Sequence, residues 1–164
     1  MTAPVNGGGF IPEPTDRLIS PRQEQKEERK AEKLDEEYVK VTRKFRKRIE
    51  ALGGYESMTE LWKDFGPVVL QTIHLHAPIQ RLLNYTNDFH EFCEAFQHET
   101  TTEEYQRYYD AMDFAWSRVL DEKNPSETDK IRVVNVLSDG QEVAMKLGLS
   151  QVYTQAIEKA DDDI

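Results

Sequence analysis

The sequence predicts an all-α protein: an irregular multi-helix domain of about seven or eight helices, with an extended N-terminal arm and a long charged first helix. Three observations predict it. Apolar residues recur at spacings of three and four, the period of a helix face, along most of the chain. Helix-start chemistry recurs, with Ser57 and Glu60, then Thr101 and Glu104, at capping-box spacing. Strand-like alternation is confined to IRVVNV, residues 131–136, which is too short to seed a sheet alone.

In chain order, residues 1–21 contain four prolines and the Gly7-Gly8-Gly9 run, which break helix and strand alike and predict an extended or disordered arm. Its Phe10-Ile11 and Leu18-Ile19 pairs are candidate plugs for a groove on a partner, with Pro12, Pro14 and Pro21 reducing the entropy lost on ordering. Residues 22–52 read as one long helix. Its first half is almost wholly charged; from Leu34 onward, Leu34, Tyr38, Val41, Phe45, Ile49 and Leu52 make one stripe until Gly53-Gly54 stops it. That stripe needs a helical partner, in this chain or another, and Leu34, Tyr38 and Phe45 are candidate docking residues.

Residues 53–160 are the expected helical domain. A short helix from Ser57 closes at Gly66-Pro67, Pro67 starts VVLQTIHLHA, and Pro78 ends that helix while opening IQRLLNY. A further helix carries Phe89, Phe92, Cys93 and Phe96. The one capped at Thr101 bears Tyr105, Tyr109, Met112, Trp116, Val119 and Leu120 on one stripe. Tyr108 lies off that stripe and is a candidate partner contact. After the Asn124-Pro125-Ser126 turn come residues 128–137, the segment from Gln141, and an acidic tail at 161–164.

A chain of 164 residues is one domain's worth of material, enough for one core plus an arm. The net charge of −10 is uneven. Residues 1–50 hold 12 Lys and Arg against 10 Asp and Glu, and residues 51–164 hold 9 against 21, so the body is acidic and repels nucleic acid. A single cysteine, Cys93, excludes an internal disulfide and suits a reduced compartment. No N-terminal basic patch precedes an apolar stretch and no run reaches ~18 apolar residues, so neither a signal peptide nor a membrane span is expected. The expected location is cytoplasmic or otherwise intracellular, including the inside of an assembled virus particle.

Chemistry-bearing constellations are sparse. His90, Cys93 and His98 do not share a helix face, since 100° per residue separates them by 60° and 140°. A metal would have to recruit His74 or His76, so no metal or other cofactor is expected. Cys93 sits among aromatics, where burial raises its pKa and leaves it inert. Neither a nucleophile elbow nor a phosphate loop is present, which makes a small helical enzyme or metal-binding protein the weaker alternative. The block VTRKFRKR places Lys40, Arg43, Lys44, Arg46, Lys47 and Arg48 together with no intervening acid. It could grip phosphates without regard to sequence, pair with the chain's own acidic helices, or dock on an acidic protein.

In residues 141–160, Ala144 supplies a small residue, Gly148 a turn, Val143, Leu147, Leu149 and Ile157 apolar locks, Ser150 a cap for the second helix, and Asp139 with Glu142 a cap for the first. This pattern resembles the helix-turn-helix unit of DNA-binding proteins. The resemblance implies that Ser150, Gln151, Tyr153 and Thr154 face a DNA groove. Thr154 departs from the apolar residue usual there. From Ser138 to the C-terminus, Lys146 and Lys159 face six acids, leaving counterion release to the distant 40–48 block. The leading expectation is therefore a non-enzymatic structural or assembly subunit, docking by arm and first helix on protein partners in a larger complex such as a virus or phage particle. A DNA-associated accessory factor is the alternative.

Overall fold

The structure is a computed structural model that describes residues 20–49 and 53–161. Among these residues there are six α-helices and no strand: α1 Pro21–Arg46, α2 Met58–Thr72, α3 Ile79–Ala95, α4 Thr102–Glu122, α5 Glu127–Lys146 and α6 Thr154–Asp161. A 3-10 turn, Lys47–Ile49, follows α1. The arm candidates Phe10, Ile11, Leu18 and Ile19, with Leu52 and residues 162–164, lie outside the described residues.

Helix starts follow local chemistry. Ser20 forms a reciprocal capping box with Gln23 and Pro21 occupies the first turn, so α1 begins where the sequence supplies both devices. Ser57, Thr101 and Ser126 each accept a hydrogen bond from the amide three residues on. A cap of this kind contributes about 1 kcal/mol.

Six helices stand against an expected seven or eight, and three sites where the sequence suggests a break lie inside continuous helices. Gly66-Pro67 lies inside α2. Pro67 is exposed and forfeits one helix bond, and an interior proline costs ~3 kcal/mol, but Phe65, Val68 and Val69 on either side are buried and hold the helix continuous. Residues 86–88 lie within α3, where the Thr86 hydroxyl donates to the Leu82 carbonyl at 2.6 Å and accepts from Trp116 Nε1 at 2.9 Å. The Ser138-Asp139-Gly140 sequence lies within α5, so Asp139 and Glu142 cap nothing there.

Cross-links set the helix directions. Lys44 meets Glu60 at 3.2 Å, while the Glu27 carboxylate accepts from the His76 and Ala77 amides, so α1 runs antiparallel to α2. Tyr105 donates to the Cys93 carbonyl at 2.7 Å and Trp116 reaches Thr86, so α4 runs antiparallel to α3. Arg132 on Gln80 aligns α5 with α3, and Lys159 on Asp121 aligns α6 with α4. The core lies between them: Met58, Leu61, Phe65, Leu82, Phe89, Cys93, Tyr109, Met112, Trp116, Val133 and Leu137 are fully enclosed. Phe65 and Phe89 stack with centroids 6.0 Å apart, and Tyr109 meets Phe89 edge-on at 5.0 Å, an arrangement that adds to the area term.

The Leu34–Phe45 part of the α1 stripe is consumed inside this body, whereas Ile49 is 83% exposed. Leu34 and Phe45 are buried, and Tyr38 donates its hydroxyl to Asp88 and packs on Tyr85. The helical partner that the stripe requires is the chain's own α2 and α3, which corrects the expectation that Leu34, Tyr38 and Phe45 dock on another molecule. The opposite end of α1 differs: residues 21–26 are exposed, and Glu27 is the first position to touch the body.

Candidate docking site

The clearest surface feature is an apolar groove of about 530 Å³ between α2 and α4. It follows from residue sizes at helical spacing. Gly66 on α2 and Ala111 and Ala115 on α4 are small where larger side chains would close the gap, while Trp62 and Ile73 line it. Gly66 sets the depth near Trp62, because a Cβ there would approach the indole Nε1 to 3.3 Å. Leu70 and Phe114 are 55% and 57% exposed on the rim, and Lys63 also lines the groove. Single exposed apolar residues are ordinary, but two beside an apolar depression of this volume make it a candidate docking surface.

The groove escaped the sequence reading because it joins residues some 45 positions apart. One signal was available: Phe114 falls off the stripe of Tyr105, Tyr109, Met112, Trp116 and Val119, so a large aromatic had no internal seat. Tyr108, also off that stripe, behaves differently. Its ring is buried and stacked on Trp62 at 4.8 Å, and its hydroxyl donates to Thr59 at 3.1 Å. Tyr108 therefore supports the groove from beneath and is not an exposed contact.

The basic block is divided by the helix it sits on. Lys40 pairs with Glu37 at 3.5 Å; Lys44 pairs with Glu60 and lies over the Tyr55 ring; Arg48 covers the Phe45 ring at 3.8 Å and donates to its carbonyl. Arg43, Arg46 and Lys47 are exposed and make no ion pair among the described residues. Half of the six cations are thus already engaged by the chain itself.

The corner at 141–161 has the predicted turn at Gly148, whose φ of +91° suits glycine. Leu149 donates to the Ala144 carbonyl at 2.9 Å, closing the α5 terminus. The second helix, however, starts at Thr154, so residues 147–153 form a connection longer than the 3–4 residue turn of a helix-turn-helix unit. Ser150 does not cap α6; Asp113 of α4 does, accepting from the Ala156 amide at 2.8 Å. Burial raises the Asp113 pKa, opposed by those backbone hydrogen bonds. Tyr153 faces inward, 1% exposed, with its hydroxyl 2.8 Å from His90 Nε2. Ser150, Gln151 and Thr154 remain exposed.

Titratable groups in the interior serve packing. Burial pushes the His90 pKa down to about 4 and the Cys93 thiol well up. No group of three His, Cys, Asp or Glu side chains among the described residues is placed to hold a metal ion. No described helix is long and apolar enough to cross a membrane.

No protein-family model, curated protein or solved structure matches this chain.

Proposed function

We propose that the protein is a non-enzymatic structural or assembly subunit that joins a larger complex through the segment preceding α1, with the helical body as a self-contained platform. The observation that carries this reading is the contrast along α1. Its C-terminal part from Glu27 onward is committed to the body, while residues 21–26 stand clear of it and lead back to a segment with two apolar pairs. A projecting helix preceded by a proline-containing segment with two apolar pairs is suited to reaching a neighbour. A virus or phage particle is one assembly of this kind. The division of the basic block and the inward turn of Tyr153 leave the DNA-associated reading with less support.

The test is the native mass of complexes isolated from the source cell after nuclease treatment, for the full chain and for a variant lacking residues 1–19. Loss of the high-mass species on deletion, with helical circular dichroism unchanged, supports the proposal. An unchanged mass overturns it, and a mass that nuclease alone abolishes favours a nucleic-acid role.

A further inference from the structure

Resting on that reading, we infer that the arm's receptor is the α2/α4 groove of a second copy of this chain, with Phe10 and Ile11 seated between Leu70 and Phe114. The groove asks for an apolar occupant, since Trp62, Ile73, Ala111 and Ala115 offer it no hydrogen-bonding side chain but the indole. The arm offers an adjacent aromatic and aliphatic pair, and the fixed φ of Pro12 and Pro14 would reduce the entropy lost when the segment orders in a groove. Charge agrees. Glu13 lies two residues beyond Ile11, and Lys63 at the groove has no ion-pair partner among the described residues.

The exit of the chain from the body favours a second copy. Ser20 lies seven residues before Glu27, so at 1.5 Å per residue the arm departs about 10 Å beyond the first contact of α1 with the α2–α3 connection. Phe10 is ten residues earlier in the sequence than Ser20, a separation that can span at most about 35 Å. To enter its own groove, the chain before Ser20 would have to turn back past the C-terminal end of α2. A neighbouring copy meets it without reversal. Donor and receptor are different surfaces, so two copies can exchange arms reciprocally in a closed two-fold dimer, or each arm can enter a different neighbour and build rings or open chains.

The experiment mixes two full-length variants, Phe10→Glu/Ile11→Glu with a defective arm and Leu70→Glu/Phe114→Glu with a defective groove, and measures mass by sedimentation. The wild type should gain mass with concentration, to an arm-exchanged dimer or beyond. Each variant alone should associate roughly ten-fold more weakly or worse. An equimolar mixture has one good arm and one good groove, and it should form a one-to-one pair that grows no further. That pairing demonstrates that the groove of the arm variant is folded, and unchanged helical circular dichroism checks the body of the groove variant. Association that survives the groove variant, a mixture that stays monomeric, or a wild type monomeric up to millimolar concentration overturns the inference. A wild-type monomer whose Trp62 is shielded from quencher by its own arm also overturns it. If these fail while deletion of residues 1–19 still removes the chain from its native complex, the inference falls and the wider reading stands.

Discussion

His90 of α3 and Tyr153, just before α6, share a buried hydrogen bond of 2.8 Å, and the hydrogen-only face of Gly140 on α5 lets the two rings meet there. The pair fastens the C-terminal helix to the centre of the body. Tyr153 reaches it with a φ of +61°, a conformation that costs a non-glycine residue about 1 kcal/mol or more and persists because the ring is enclosed.

Acid should loosen this fastening. The folded-state pKa of His90 is about 4 against an ordinary 6.5, because burial disfavours the imidazolium. The unfolded chain therefore binds the extra proton first, and stability is full above pH 6.5 and falls as pH drops towards 4. The loss amounts to about 3 kcal/mol. Urea titrations between pH 7 and 5, above most carboxylate titration, should show this slope in the wild type and a flatter one in His90→Gln. Equal slopes would remove His90 as the cause.

Gly140→Ala should destabilise despite the better helix propensity of alanine. The added methyl would fall inside the radius of His90 Nε2 and lie 2.7 Å from Tyr153 Cε2. Overpacking against two fixed rings should outweigh a propensity gain of ~1 kcal/mol, for a net loss of about 2 kcal/mol. Thermal denaturation checks it, and the double variant with His90→Ala should be less destabilised than the sum of the two single changes.

Asp113→Ala should fray α6. It removes the carboxylate that accepts from the Ala156 amide and should cost about 1–2 kcal/mol. Amide exchange should accelerate at residues 154–157 while protection in α3 is retained. Uniform acceleration across the body would mean that α6 is not a separable unit.

Ser117→Ala should stabilise. The Ser117 hydroxyl is buried with no hydrogen-bond partner among the described residues, and alanine favours the helix. A gain of about 0.5–1 kcal/mol should raise Tm by a few degrees. A fall in Tm would point to a partner for that hydroxyl.

Legibility in the sequence followed range. Helix starts at Ser57, Thr101 and Ser126 could be read because a cap and its target lie three residues apart. The Leu34–Tyr38–Phe45 stripe could be read as a helix face, but its partner could not, because α2 and α3 become neighbours of α1 only in the fold. In α2 and α5, Gly66-Pro67 and Gly140 carry local breaking signals that burial of their neighbours overrides, and α3 runs unbroken from IQRLLNY through Phe92. At Gly140 the signal was real but meant close approach of His90, not a helix end. The groove was the least legible feature, since neither Leu70 nor Phe114 announces the other.

The most direct measurement places a photo-crosslinking benzoylphenylalanine at position 10 of the full chain in its native complex and identifies the acceptor peptide. With isotopically mixed copies to separate contacts within a chain from those between chains, the account predicts crosslinks to a different polypeptide. For the self-assembly inference, the acceptor is the α2 or α4 peptide bearing Leu70 or Phe114 of another copy. Crosslinks confined to the same chain, or none from the assembled state, would contradict the claim that the arm joins one subunit to the next.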